Sequence, residues 1–481
     1  MSKFSNEPIF KYFEEISQIP RGSGNEKGIS DYLVNFAKSR NLEVIQDKAN
    51  NVIIKKSGTL GYENAPTVIL QGHMDMVCDK NKVTEHDFEK DPIKLRVEGD
   101  MLYATDTTLG ADNGIAISYA LELLASDKTA HPPIEVLITT QEETGMDGAL
   151  AIEPGNLKGK LLINMDSEEE GKLLVSCAGG TMVKQILPIK CESAKENMIP
   201  YLISITGLKG GHSGMEINMG RGNSNKLIGR VLNGLSEEIE YYIEGINGGF
   251  KPNAIPREVD VVIIMSTKDE ANLMSSIEKW NKIFKNELRV SDPGVTVNAE
   301  KLNKTVRKVF SKETNKKIIS LLITIPSGVH TMSMDIKGLV ESSTNLGVIT
   351  TTDTEIIFES AVRSCVKSLK QEILSQCKMS AQLTGAEYIA YSDYPEWAYN
   401  PDSRLRKVFE TVYEKKYGKK PEVAAIHAGL ECGLFKEKMP DIDMISLGPN
   451  LYDVHTPDEH VSISSTKSVW EYLIDVLKEI K

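Results

Sequence analysis

The chain has 481 residues, 40% of them hydrophobic and 26% charged, with a formal net charge of −12. A single core rarely grows beyond roughly 250–300 residues, so at least two domains are expected. The acidic balance argues against a nucleic-acid or anionic-membrane partner, since both need a basic face.

Met1 to Pro8 shows no apolar h-region, and no run of about 18 apolar residues occurs, so neither a secretory signal nor a membrane span is expected. Ile9, Phe10, Phe13, Ile16 and Ile19 predict a helix over 8–19, and Ile29, Tyr32, Leu33 and Phe36 another over 25–42. Segments 43–46 and 51–55 read as paired strands. At 67–70 an apolar run reads as a strand buried on both faces, followed by a tight exit at Gly72 and then by His73 and Asp75. A His-x-Asp pair there is either a metal ligand with its orienting partner or a plain surface turn. Residues 79–91 are charged and read as a surface excursion. A hairpin is expected at 93–104, a strong helix at 114–124, strands at 134–140, 160–165 and 172–176, and a short helix at 145–152. This alternation implies an α/β domain with a largely parallel or mixed sheet.

Near Thr181 the texture becomes α+β, with strands at 201–206 and 259–265 and helices at 225–239 and 270–288. We expect an inserted domain over 185–380, flanked by the two parts of the first domain, 1–184 and 381–481. Gly211 to Ile217 resembles Val329 to Ile336, each after a stretch read as β-rich (201–206 and 319–325), which makes an internal duplication a candidate. After 395 the α/β texture returns, with a helix capped by Asp402, strands at 423–426 and 443–447, and a last helix from Ser464 or Ser465. Six scattered cysteines without a C-x-x-C fit a reducing cytoplasm better than a disulfide framework or thiolate zinc site.

Three apolar strands end in acidic or histidine residues: His73 and Asp75, then Glu142 and Glu143, then Asp166. Asp112 before the strong helix and His455 before the last one complete the set, although Asp112 alone reads equally well as a helix cap and a lone loop histidine such as His455 is more often simply solvated. Strands of one sheet bring their carboxyl ends together. The pooled ligands, two His and several carboxylates without thiolate, suit zinc, manganese or cobalt. They exceed the three protein ligands of one catalytic zinc. Two metals about 3.5–4 Å apart, sharing a carboxylate, fit the count.

The motifs Gly72-His-Met-Asp75, Gly110-Ala-Asp-Asn-Gly114, Gln141-Glu-Glu-Thr-Gly145, Asn164-Met-Asp166, Gly210-Gly-His-Ser-Gly214 and Val454-His-Thr-Pro457 resemble those of the dinuclear zinc exopeptidases that include aminoacylase and carnosinase. Ala104 to Gly114, Asn218 to Asn223 and His427-Ala-Gly-Leu-Glu-Cys-Gly433 are closer to the aminoacyl-histidine dipeptidase branch. The resemblance implies a zinc-exopeptidase-like catalytic domain with an inserted lid. It implies Asp112 as a bridge, His73 and Asp166 on one metal, and Glu143 and His455 on the other. Asp75 would orient His73, Glu142 would be the general base, and His212 (with His330 a lesser alternative) would stabilise the oxyanion. Arg363 would grip the substrate carboxylate, and Asn223 and Glu431 are candidates for the peptide backbone and free amine. The expected activity is hydrolysis of unblocked dipeptides, Xaa-His among them, in the cytoplasm. A broader di- or tripeptidase, an N-acyl amino acid deacylase and a non-catalytic metal- or peptide-binding protein are the alternatives. The sequence leaves monomer and homodimer both open.

Overall fold

The computed structural model describes residues 7–481. The chain divides into two compact units, one comprising residues up to Ser176, Trp397–Ala425 and Leu430–Lys481, the other Cys177–Glu396 and Ile426–Gly429. In chain order the first unit contributes β1 (Glu43–Gln46), β2 (Val52–Lys56), β3 (Val68–His73), β4 (Ile134–Thr139), β5 (Leu161–Asn164) and β6 (Lys172–Cys177). All six residues of β3 and of β4 are buried, which explains the apolar runs Val68 to Leu70 and Val136 to Ile138 within them. The helix Ala111–Ala125 is buried on almost every side, as its continuous Ile115 to Leu124 hydrophobicity requires.

The second unit carries β7 (Gly179–Pro188), β8 (Met198–Thr206), β9 (Tyr241–Gly248), β10 (Val259–Ser266), β11 (Thr296–Lys301), β12 (Gly328–Met332), β13 (Val340–Thr351), β14 (Glu355–Ser364) and β15 (Glu387–Tyr394). They form one nine-stranded sheet in the order β11-β8-β10-β9-β13-β14-β7-β15, with β12 added against β13. Burial alternates along β8, so one face packs into a core built on Ile203, Ile205, Ile228, Leu232, Ile263 and Leu321. The expected limits at 185 and 380 each fall inside or short of a strand of this sheet. β7 begins at Gly179, and β15 pairs with it out to Tyr394, so the unit is wider at both ends than texture suggested.

The sheet holds two copies of one topology. β8, helix Ser224–Glu238, β9, β10, helix Glu270–Glu287 and β11 form one β-α-β-β-α-β set. β7, helix Lys312–Thr324, β13, β14, helix Lys367–Thr384 and β15 form the other. Each set has its second, third, first and fourth strands in that spatial order, and the two join through their second strands at Gly248 and Ile349. The first set is nested between β7 and the rest of the second. This is not the duplication expected from sequence. Residues 319–325 are helical to Thr324, since Ser311 caps the helix by accepting from Thr314 N and Ile318, Leu321 and Leu322 bury at helical spacing. His212 therefore follows a first strand and His330 a first helix, at unrelated positions. Val259 and Glu355 open the equivalent third strands of the two sets.

The chain then returns through β16 (Glu422–Ile426) and β17 (Asp443–Ser446), which complete an eight-stranded mixed sheet in the order β1-β2-β4-β3-β5-β17-β6-β16. Its centre is parallel: β3 runs beside β4 and β5, and β17 beside β5. Two caps differ from expectation. Ser403, not Asp402, caps Arg404–Tyr417, and Ser462 caps Ile463–Glu479, each hydroxyl accepting an N–H three residues on.

Candidate metal centre

The parallel register sets His73 opposite Thr139, and Gln71 opposite both Leu137 and Asn164. The segments that leave the three strands therefore begin side by side, and they carry Asp75, Glu142–Glu143 and Asp166. Gly72 lies within β3 rather than at a tight exit. A Cβ there would overlap Asn113 Oδ1 and Ala116 Cβ, so its role is to let the helix Ala111–Ala125 lie against the strand. Asn113 uses that closeness, accepting from His73 N at 3.3 Å and donating to Met165 O at 2.9 Å. Gly72→Ala should lower stability by about 1–3 kcal/mol through overpacking and loosen the His73 loop. A thermal scan with and without added metal checks both.

Asp112 is not a helix cap. Its backbone is non-helical (φ −80°, ψ 106°), the following peptide bond is cis, and its carboxylate faces side chains instead. Oδ1 is 3.1 Å from His73 Nε2 and Oδ2 is 3.2 Å from His455 Nε2. His73 Nε2 is also 3.5 Å from Asp166 Oδ1, and His455 Nε2 is 3.1 Å from Glu143 Oε2. Five residues thus form two triads, His73–Asp166 and His455–Glu143, that share Asp112. Asp75 stands behind the first triad. Its Oδ1 is 3.3 Å from His73 Nδ1, and its two oxygens accept from Glu142 N, Glu143 N and Ser23 Oγ.

Burial pulls the His73 imidazole down, but Asp166, Asp112 and Asp75 outweigh it and hold the ring well above its ordinary value. Hydrogen bonds to Asp112 and Glu143 push His455 up to about 11. Asp112 is held low by the two imidazoles in spite of its burial, whereas burial and mutual repulsion raise Asp166 and Glu142. Such a knot of carboxylates needs positive charge, which protons on the rings or divalent cations can supply. Glu143 Oε1 is buried and meets no hydrogen-bond donor among the described residues. One atom each of His73, Asp112 and Glu143 lie within 4.8 Å of one another. This oxygen and imidazole set fits a hard or borderline divalent cation.

A family model described as Peptidase family M20/M25/M40 matches residues 69–479. The chain belongs to that family. This M20/M25/M40 peptidase is 39% identical over 480 residues to a cytosol non-specific dipeptidase of Escherichia coli K12, covering 100% of this chain and 99% of the other. It is also similar to the crystal structure of an aminoacylhistidine dipeptidase from Vibrio alginolyticus. That likeness has a TM-score of 0.96 and 39% identity, over 100% of this chain and 98% of that one. The aminopeptidase PepT of Bacillus cereus shares the fold alone, at 15% identity and a TM-score of 0.56 over 100% of both chains.

Elsewhere in the peptidase, His212, Arg363 and His427 surround Gly214 in the second unit. A Cβ on that glycine would press on His427 O, His212 Cε1 and Arg363 Cδ. Arg363 donates to Tyr394 Oη at 2.8 Å, and its Nε is buried without a partner among the described residues, as is His427 Nδ1. His330 Nε2 lies 3.2 Å from Thr344 Oγ1. Asn223 spends its amide structurally, accepting from Lys226 N as a helix cap and donating to Asn345 Oδ1 and Leu346 O. Glu431 is 0% exposed and accepts from Gln71 Nε2 at 2.5 Å and Thr139 Oγ1 at 2.8 Å. Both are expected from sequence to face substrate; here they make these contacts within the protein, and Glu431 Oε1 is buried without a hydrogen-bond partner among the described residues. Sequence reasoning missed Arg21, Ser23, Asn113 and Glu459. Ser23 and Arg21 sit in a short loop with no ligand spacing, and Glu459 is hidden in a charged run.

Proposed function

We propose that the enzyme hydrolyses unblocked dipeptides in the cytoplasm, Xaa-His substrates among them, with two divalent cations, zinc foremost, and with Glu142 as general base. Family membership and the full-length likeness to dipeptidases make it a dipeptide-hydrolysing enzyme and set aside a purely binding role. The observation that carries the rest is the division of Asp112 between two histidine–carboxylate pairs. His73 and Asp166 would hold one cation, His455 and Glu143 the other, and Asp112 both. Bound there, the cations would polarise the scissile carbonyl and ease deprotonation of water.

The protein's own groups account for the remaining steps. Asp75 fixes the ring of His73 and, through the backbone N–H groups of 142 and 143, places both glutamates. Glu142, not engaged in either triad, takes a proton from the attacking water and passes it to the leaving amine. Burial, with Asp166, Glu431 and Glu143 nearby, raises its carboxyl above the ordinary value. By the resemblance to dipeptidases, His212 would stabilise the oxyanion and Arg363 would pair with the substrate's terminal carboxylate. Arg363→Lys is expected to raise KM by about 10–100-fold for a free dipeptide, and to change it little for the same dipeptide amidated at its C terminus.

A panel of free dipeptides, tripeptides and N-acetylated dipeptides, assayed with and without added zinc, manganese or cobalt, tests the whole reading. Metal-dependent cleavage of free dipeptides is expected. Preference for blocked amines would replace the dipeptidase reading by a deacylase.

A further inference from the structure

Four consecutive backbone N–H groups converge on one carboxylate. Leu109 N and Gly110 N donate to Glu459 Oε2 at 2.8 and 3.1 Å, and Ala111 N and Asp112 N to Oε1 at 2.8 and 3.4 Å. The same loop is held from the other side by Arg21, which donates to Gly110 O, to Met74 O at 3.0 Å and to Asp75 O at 3.3 Å. Glu459 and Arg21 are each 2% exposed. Gly110 has φ +68°, and a Cβ there would press on the Arg21 guanidinium and on Met76 Sδ, so the loop's path and the arginine's seat require each other.

The placement joins three ligand-bearing segments. Glu459 ends the turn that begins after His455, with its N–H on Thr456 O at 3.1 Å. Its carboxylate therefore ties the His455 segment to the Asp112 segment. Arg21 ties the His73–Asp75 segment to the same point. Stability alone is a poor reason for burying two opposite charges, since apolar residues of like volume serve as well or better. Fixed geometry is a better one, because partners behind ligands commonly govern metal affinity.

We propose that Glu459 and Arg21 are positioning residues that fix the backbone of Asp112, and so the spread of its two oxygens between His73 and His455, before any cation binds. The proposal rests on the reading of Asp112 as a shared ligand. Glu459→Gln keeps the shape but turns an amide NH2 toward two of the four N–H donors. Cobalt titration of the metal-free protein, followed by its visible absorption spectrum, should show binding about 10–100-fold weaker and an altered spectrum. The metal-free variant should still unfold cooperatively, and Glu459→Asp should recover part of the affinity. Arg21→Lys provides the same readouts should Glu459→Gln not fold. Wild-type cobalt affinity and spectrum in the folded variant would overturn the proposal, whatever its melting temperature. Asp112→Asn separates the two readings. If it too binds cobalt normally, the shared-ligand assignment is wrong; if it alone fails to bind, only the positioning role is.

Discussion

Glu142→Gln is expected to retain its metal and lose turnover by about 10²–10⁴-fold, the usual share of a general base. The substitution is nearly isosteric, and the contact that places residue 142 is made by its backbone N–H on Asp75 Oδ1, which glutamine leaves intact. Neither imidazole depends on the Glu142 carboxylate, since His73 faces Asp112 and Asp166, and His455 faces Asp112 and Glu143. Metal content by elemental analysis should therefore match wild type while kcat collapses. The neighbouring change Glu143→Gln is the control: it removes a carboxylate 3.1 Å from His455 Nε2 and should show as lost metal first. A Glu142→Gln enzyme that keeps a tenth or more of its kcat would remove Glu142 as the base. Equal metal loss in both variants would end the division of labour between the adjacent glutamates.

Such a division was readable in the sequence because parallel strands buried on both faces leave long apolar runs, and the residues just past each run land on one edge of the sheet. His73, Glu142–Glu143 and Asp166 were legible in this way. Asp112 and His455 were less so, since a residue before a helix reads equally well as a cap, and only the geometry shows Asp112 turned away from the helix. The inserted unit was harder. The run from Ile319 to Ile325 is rich in isoleucine and reads as β, yet the capped start and inward face of its helix make it helical to Thr324. That misreading matched His212 with His330 and hid the repeated β-α-β-β-α-β topology, which is nested and leaves its mark in strand order rather than in motifs. Least legible were the groups behind the ligands. Glu459 acts on residues some 350 positions away, and no local spacing announces such a contact. Asn223 and Glu431 show the converse: the motif located them, but burial and cap geometry decided what their side chains touch.

Asp112→Ala should abolish metal binding and turnover together. Without it each triad is reduced to one histidine and one carboxylate, His73 with Asp166 or His455 with Glu143, and two protein ligands fall short of the three that hold a catalytic zinc. Loss of turnover should therefore reach roughly 10³-fold or more, since water activation and carbonyl polarisation go together. Stability gives a second readout. A cation at 100 times its Kd stabilises the folded state by about 2.7 kcal/mol, which corresponds to roughly 5–10 °C in Tm for a unit of this size. Chelation should lower the wild-type Tm by at least that much, and Asp112→Ala should melt at one temperature with or without metal. In the metal-free form the substitution relieves repulsion on Asp166 but also takes from His73 and His455 the carboxylate they share, so the comparison with metal is made within each variant. Asp166→Ala touches only the His73 side and should keep part of the metal-dependent rise. A full rise in Asp112→Ala would mean that the two triads bind independently, and the shared carboxylate would lose its assigned role.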